Sequence, residues 1–158
     1  DCPCPWNGRN PVYARHCRPG GPVMHAASIP PPDAVTAPWW NATRERRLLV
    51  QSCAGCGKSQ HPPRSLCSHC GSTDDLGWVD ATGAGTVDSF TVVHRAPRPE
   101  ADVPYVIARV RLDVGVVLLT RLEGREPDHW SIGDAVRVEW APADDGRALP
   151  VFVHASGA

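Results

Sequence analysis

The chain has 158 residues, which is enough for one ordinary domain or two small ones. Its formal net charge is −1, from 16 Lys and Arg against 17 Asp and Glu, so the total gives no electrostatic case for binding duplex nucleic acid or a membrane surface. Seven cysteines, an odd number, with no export signal and no apolar run near the roughly 18 residues of a membrane span, predict a protein of the reducing cytoplasm.

The N-terminal segment, residues 1–23, is dense in Pro, Gly and Arg and has neither a helical nor a strand period. Met24 is the only methionine, and we expect it to be the start of translation, with upstream sequence read in frame before it. Residues 1–37 together are predicted to be disordered or extended. The spacing matches no common structural zinc pattern, which argues against a second metal site formed by Cys2, Cys4, His16 and Cys17.

The stretch "PWWNATRERRLLV" predicts a short helix over residues 38–47 that leads into a strand over residues 48–52. Proline suits a first helical turn, and the tryptophans and arginines recur at helical spacing. Trp39 and Trp40 leave two interpretations open. They either cover the core of their own domain or dock on a partner, since aromatic residues are enriched at interface hot spots.

Two C-x-x-C pairs separated by ten residues follow in "CAGCGKSQHPPRSLCSHCG". Each pair places two thiolates on one tight turn, and two such turns form the four-sulfur shell that Zn²⁺ takes in closed structural sites. Iron in a rubredoxin-like shell uses the same ligands, whereas disulfides are disfavoured in a cytosolic protein. A shell of four thiolates leaves no open position for substrate, so the metal is predicted to be structural. The predicted ligands are Cys53, Cys56, Cys67 and Cys70.

From Trp78 onward the sequence turns to strands with period-two alternation, separated by Gly- and Asp-rich turns. Five strands in roughly 75 residues have the size of a small closed barrel, which also removes exposed sheet edges. The fold class is therefore mainly β. We place a helix and ribbon in residues 38–77 and the barrel in residues 78–158. The five strand segments are "GTVDSFTVVH", "YVIARVRL", "GVVLLTRL", "AVRVEW" and "LPVFV".

The ordered motifs together resemble a known family, long called domain of unknown function 35. They are the tryptophan pair before a basic helix, "RLLVQSCAGCG", "PPRSLCSHCGS", the "GAGTVDSFTVVH" strand and "IGDAVRVEW". The likeness covers about residues 38–153. The resemblance implies a short helix, a rubredoxin-like zinc ribbon and a five-stranded OB-fold barrel. It also implies an accessory subunit that binds a thiolase-like, hydratase or aldolase partner and helps to bind or route an acyl-CoA thioester, including in steroid side-chain degradation.

No motif for catalysis accompanies these elements: G-x-S-x-G, HExxH, P-loop and dinucleotide fingerprints are all missing from the sequence. We therefore predict no catalytic residues. The proline-broken loop "HRAPRPEADVPY" between two barrel strands is a candidate surface for CoA or for the partner, because binding residues favour loops on a rigid scaffold. The alternative is a solvated loop with incidental charges. The candidate partner- or CoA-binding residues are Trp39, Trp40, Arg46, Arg47, His94, Arg95 and Arg98.

A different function is open as well, because OB-folds and zinc ribbons also occur in proteins that bind single-stranded nucleic acid. Such proteins combine a positive groove with aromatic stacking residues on the sheet face. This chain offers few aromatic residues on its barrel strands, and its charge is not basic. The accessory-subunit interpretation is therefore preferred, with no membrane association expected.

Overall fold

The computed structural model describes residues 29–95 and 103–155. The predictions for residues 1–23, for Met24 and for Arg98 lie outside these ranges. None of the helices within the ranges is long and apolar enough to cross a membrane. In chain order the elements are helix α1 (Ala37–Arg44) and strands β1 (Leu49–Cys53), β2 (Ser59–Gln60), β3 (Leu76–Asp80), β4 (Ala84–Val93), β5 (Tyr105–Leu112), β6 (Val117–Glu123), β7 (Ala135–Pro142) and β8 (Ala148–His154), with a 3₁₀ turn at Pro127–His129 before β7.

Helix α1 is shorter than the sequence predicts, because the chain leaves the helical conformation at Arg46 rather than after residue 47. Arg46 has a φ of 56°, the left-handed region. Its N–H donates to the carbonyl of Thr43, and the N–H of Arg47 donates to the carbonyl of Ala42. This pair of bonds is a Schellman motif, which satisfies the last carbonyls of the helix. At the other end, the carboxylate of Asp33 accepts from the N–H of Thr36 at 2.7 Å.

The cysteine region is built on a three-stranded antiparallel sheet in the order β2-β1-β3. β1 is the central strand, pairing with β2 at Gln51↔Gln60 and with β3 at Gln51↔Trp78. The boundary placed between residues 77 and 78 from the sequence therefore lies inside β3. The strand predicted over residues 48–52 begins and ends one residue later.

The remaining five strands form the predicted closed barrel, in the order β4-β5-β6-β8-β7. All neighbours are antiparallel except β6 and β8, which close the barrel through a short parallel ladder. Alternation along β5 turns Val106, Ala108 and Val110 inward, and all three are buried. The mainly β class with an OB-type barrel is thus confirmed.

Two hydrophobic clusters hold the ribbon and the barrel together. The larger is the barrel core, and it includes Leu48 and Val50 from the β1 region, so the ribbon's central strand packs against the barrel. The smaller one unites Trp39 and Trp40 of α1 with residues of the ribbon, of the barrel and of the N-terminal lead-in. Its further members are Ile29, Leu49, Trp78, Ala143 and Leu149.

Arg147, in the turn between β7 and β8, ties the N-terminal lead-in to this smaller cluster. The residue is 5% exposed. Its guanidinium lies over the Trp40 ring, 4.6 Å from the centroid. One nitrogen donates to the carbonyl of Pro30 at 2.7 Å, and Nε donates to the Asp145 carboxylate at 2.6 Å. A buried cation is tolerated here because a carboxylate, a carbonyl and an aromatic face all compensate it.

Replacing Arg147 with Met is expected to lower the free energy of unfolding by about 2–4 kcal/mol. The change removes the charge from a buried pair and leaves the Pro30 carbonyl without its donor. Arg44→Met is the matched control, since Arg44 also donates to this turn but is exposed, and it is expected to cost less than about 1 kcal/mol. Urea unfolding measures both. Equal midpoints for the two variants would contradict this role of Arg147.

Candidate metal centre and binding surfaces

The two C-x-x-C segments adopt the same backbone conformation. In the first, the N–H of Gly57 donates to the carbonyl of Cys53, and the N–H of Cys53 donates to the carbonyl of Lys58. In the second, Gly71 donates to Cys67, and Cys67 donates to the carbonyl of Ser72. The φ values of Gly57 and Gly71 are 70° and 79°. Residues with a side chain rarely adopt this conformation. The repeated bonding pattern turns both cysteines of each segment toward one point.

The four sulfurs meet in a cluster of the size that a metal requires. All four Sγ atoms lie within 4.8 Å of one another. The Sγ atoms of Cys53 and Cys70 are 3.7 Å apart, and so are those of Cys56 and Cys67. A tetrahedral ion with metal–sulfur bonds of about 2.3 Å has sulfur–sulfur edges of about 3.8 Å. The donor set and its spacing therefore fit a structural Zn²⁺, and the four thiolates would complete its coordination.

The environment of the cluster favours the thiolate form of at least one ligand. The backbone N–H groups of Cys70 and His69 lower the pKa of the Cys67 thiol to about 6. The N–H of His69 lies 3.4 Å from this sulfur. Because only thiolates ligate a metal, these backbone donors would favour metal binding at Cys67.

A pair of buried glutamines positions the second C-x-x-C turn, which carries Cys67 and Cys70. Neither glutamine was predicted from the sequence. Gln51 and Gln60 face each other across the β1–β2 ladder and bond at 2.6 Å. Gln51 also accepts from the N–H of Arg64 at 3.0 Å, and Gln60 accepts from the N–H of Ser68 at 2.7 Å. Their bonds hold the crossover that carries Cys67 to its place. The only signal in the sequence is the presence of two glutamines in a short strand pair, which is too common to be diagnostic.

The tryptophan pair lies in the interior of the chain. Trp39 and Trp40 are 8% and 7% exposed, and their rings meet edge to face with centroids 4.5 Å apart. This burial favours the first of the two interpretations, a contribution to the chain's own core. Their outer edges reach one wall of a mostly apolar groove of about 370 Å³. The groove is also lined by Ile29, Pro30, Pro31, Asp33, Thr36, His61, Pro62, Pro63 and Leu149.

His61 is half-buried and lines this groove. Its ring centroid lies 5.9 Å from that of Trp39. Burial lowers the pKa of His61 from 6.5 to about 4, because the charged form loses its hydration. Neither His61 nor His69 belongs to the sulfur cluster.

The half-buried His61 makes stability depend on pH. Below pH 6.5 the unfolded chain binds a proton at this residue, whereas the folded chain does not do so until about pH 4. The contribution of His61 to the free energy of unfolding is therefore fully present above pH 6.5 and is lost as the pH falls from 6.5 to about 4. Between pH 7 and pH 5 the expected loss is about 2 kcal/mol, at about 1.4 kcal/mol per pKa unit. Denaturant unfolding at both values measures it, with metal content checked because acid also releases ligands from zinc.

His61→Phe is the matched variant, since it keeps an aromatic ring beside Trp39 but cannot take up a proton. We expect its unfolding free energy to change between pH 7 and pH 5 by about 2 kcal/mol less than that of the unchanged chain. The same decrease in both proteins would assign the pH dependence to other groups.

The remaining predicted binding residues are not gathered into one site. Arg47 is engaged with Asp80 through two bonds of 2.8 and 3.1 Å, and it also contacts Glu45. Arg46 is exposed at the end of α1. His94 and Arg95 are exposed just after β4 and so remain accessible. Arg98 lies outside the described residues. The role of these side chains in binding CoA or a partner stays a prediction.

The aromatic residues on which nucleic-acid binding would depend point mostly into the barrel. Phe152 is fully buried, and Phe90 and Trp140 pack against the same core. Tyr105 lies on the outer side, where the guanidinium of Arg121 covers its ring at 4.8 Å from the centroid. Among the described residues, the barrel strands therefore present no free row of rings on which successive bases could stack.

Two family models match consecutive parts of the chain. The first is described as "ChsH2, rubredoxin-like zinc ribbon domain" and matches residues 40–76. The second is "ChsH2, C-terminal OB-fold domain" and matches residues 78–141. The sulfur cluster lies in the first region, and most of the barrel lies in the second.

Two curated proteins are similar over most of this chain. A probable enoyl-CoA hydratase alpha subunit of Thermomonospora curvata is 45% identical over 116 residues, 72% of this chain and 35% of that protein. The 3-oxo-4,17-pregnadiene-20-carboxyl-CoA hydratase alpha subunit of Mycobacterium tuberculosis is 35% identical over 136 residues, 78% of this chain and 43% of that one. The chain thus spans less than half the length of these relatives.

A solved structure corresponds to the chain more completely. A chain of the Ltp2-ChsH2(DUF35) aldolase is 42% identical and superposes with a TM-score of 0.73, covering 80% of this chain and 99% of that one. The match therefore includes nearly the whole of that solved chain.

Proposed function

This chain belongs to the ChsH2 family, whose members join a rubredoxin-like zinc ribbon to a C-terminal OB-fold domain, and on that basis we propose that it is a non-catalytic accessory subunit of an acyl-CoA-processing enzyme. Its partner would be a thiolase-like, hydratase or aldolase chain. The observation that carries the proposal is the 42% identity with a chain of the Ltp2-ChsH2(DUF35) aldolase, over 99% of that chain. The two curated relatives, both hydratase alpha subunits, support the same class of partner.

The proposed role of the ribbon is structural, and it takes no part in the reaction. Zn²⁺ held by Cys53, Cys56, Cys67 and Cys70 would supply folding free energy to a segment with few core residues. Four thiolates complete a tetrahedral shell, so no position is left for a substrate or a reactive water. The bond between Gln51 and Gln60 helps to hold the second C-x-x-C turn in place. Leu48 and Val50 pack into the barrel core and so fix the ribbon against the barrel.

The proposed work of the barrel is to bind or route the acyl-CoA thioester, with a steroid side chain as one candidate acyl group. His94 and Arg95 are exposed at the end of β4, where cationic groups can meet the phosphates of CoA. The mycobacterial relative acts on a steroid carboxyl-CoA by its name. More than half of that relative is not matched by this chain. In this proposal the reaction itself is performed by a separate polypeptide or segment.

Reconstitution tests the proposal. The purified chain is mixed with the Ltp2 aldolase protein, complex formation is followed by size-exclusion chromatography with light scattering, and cleavage of an aldol acyl-CoA thioester is assayed. We expect a complex of near-equal stoichiometry and no turnover by this chain alone. Turnover by the chain alone would contradict the accessory role, and failure to form any complex would exclude an Ltp2-type aldolase as the partner.

A further inference from the structure

The outer surface of β5 and β6 combines an unusually exposed leucine with arginines. Leu119 is 72% exposed in the middle of β6. The register pairs it with Arg109 and pairs Ile107 with Arg121, so these four side chains share one side of the sheet. Tyr105 joins them through its contact with Arg121. We call this set the β5–β6 outer face: Tyr105, Ile107, Arg109, Leu119 and Arg121.

The ladder between β6 and β8 is short. Between β6 and β8 the ladder holds only at Leu122↔Phe152 and Glu123↔Val153. Over its first half β6 therefore has a ladder partner on the β5 side alone, within the described residues. The hydroxyl of Thr120 bridges the gap by donating to the carbonyl of Pro150 at 2.7 Å. An approaching surface can reach Leu119 through its exposed side chain.

The charges of the face are only partly compensated. Arg109 and Arg111 share one carboxylate, that of Asp88, at 3.7 and 2.7 Å. Arg121 forms no ion pair with any described residue, and its buried Nε donates to no acceptor there. Arg109, Arg111 and Arg121 face two carboxylates, those of Asp88 and of Glu123 on the same side of β6, so one positive charge is left over on a chain whose total charge is −1. Carboxylates from outside would complete both the charge and the hydrogen bonding.

We infer that the β5–β6 outer face is the surface on which a second, different protein chain docks, with an apolar side chain against Leu119 and carboxylates against Arg109 and Arg121. Arginine and tyrosine around an exposed leucine have the composition of an interface core. The inference rests on the proposed function, because it takes the docked chain to be the enzyme partner.

Two other occupants fit the face less well. A second copy of this chain docked by two-fold symmetry would bring the same arginines toward each other, and like charges in contact cost affinity. A single-stranded nucleic acid would need free rings, but the only ring on the face is covered by Arg121. Complementary carboxylates on an unlike protein meet neither objection.

The test measures the dissociation constant of the full-length, zinc-loaded chain for the Ltp2 aldolase protein by isothermal titration. Leu119→Glu is expected to weaken binding at least about tenfold, and Arg121→Gln about fivefold. Ile132→Glu is the control, since Ile132 is 70% exposed, undergoes the same change and lies in a turn bonded to β4 on the side away from β5. It is expected to stay within about twofold. Leu119 and Ile132 are both exposed, so Leu119→Glu and Ile132→Glu are expected to melt at the same temperature as the unchanged chain. The melting temperatures are checked first.

Salt dependence separates the charged part of the contact from the apolar part. Binding of the unchanged chain is expected to weaken as sodium chloride is raised, and Arg121→Gln should weaken less steeply. Unchanged affinity of Leu119→Glu would overturn this inference and leave the proposed function standing. Failure of the unchanged chain to bind would overturn both this inference for the aldolase protein and the aldolase form of the proposed function. Binding of a thymidine oligonucleotide that Arg121→Gln reduces would also overturn it, by assigning the face to nucleic acid.

Discussion

Replacing Cys53 with Ser is expected to abolish stoichiometric metal binding and to unfold the ribbon. Cys53 is buried with its sulfur 3.7 Å from that of Cys70, and removal of one thiolate opens a shell that four are needed to close. Apparent binding free energies of structural zinc are about 10–16 kcal/mol, more than the whole stability of most small domains. Metal content per chain and near-ultraviolet circular dichroism measure the two effects.

The matched comparison for this first prediction is made at Cys70, the exposed ligand of the cluster. Cys70→Ser is expected to lose the metal, whereas Cys70→His still offers a donor and is expected to keep it with weaker affinity, because three cysteines and one histidine also form structural zinc sites. Elemental analysis also separates zinc from iron, which the same ligands would hold. A metal-free chain with a native ribbon would contradict the structural role.

The double change Trp39→Ala and Trp40→Ala is expected to unfold most of the chain at room temperature. Each truncation of a buried Trp costs about 3–5 kcal/mol, and total stabilities of small domains are about 5–15 kcal/mol. The rings touch each other and the two costs are not strictly additive. Loss of the pair also removes the surface on which Arg147 is stacked. Thermal unfolding of the two single variants and the double variant measures the effect.

The control for the tryptophans is Val79→Ala, because Val79 is 41% exposed on β3 and its truncation should change the melting temperature by only a few degrees. A double tryptophan variant that melts like the unchanged chain but no longer binds an enzyme partner would reverse this conclusion. It would establish the pair as partner anchors, the second interpretation that the sequence leaves open.

Local patterns predicted the architecture well, because each element is specified by residues close together in the chain. Two C-x-x-C pairs followed by glycine specify the knuckles, and the alternation of "YVIARVRL" specifies β5 with its observed bounds. The end of α1 was predicted too late, since nothing in the sequence announces that Arg46 adopts a left-handed conformation, which is commoner for Gly or Asn.

Contacts between distant residues could not be predicted in the same way. Arg147 donates to the carbonyl of Pro30, 117 positions earlier in the chain. From its sequence alone, a charged residue such as Arg147 is expected to lie on the surface. The burial of Trp39 depends on Leu149 and Trp78, which belong to different elements. Gln51 and Gln60 likewise gain their roles only when the crossover folds onto the β1–β2 pair. Residues of this kind decide how ribbon and barrel are joined.

The most direct measurement for the accessory-subunit account is affinity purification of the tagged chain from its native host, followed by mass spectrometry and quantification of the co-purified chains. We expect one thiolase-like, hydratase or aldolase chain in near-equal amount, retained by the unchanged protein and lost with Cys53→Ser. Recovery of the chain alone, or with RNA or single-stranded DNA in place of an enzyme, would contradict it.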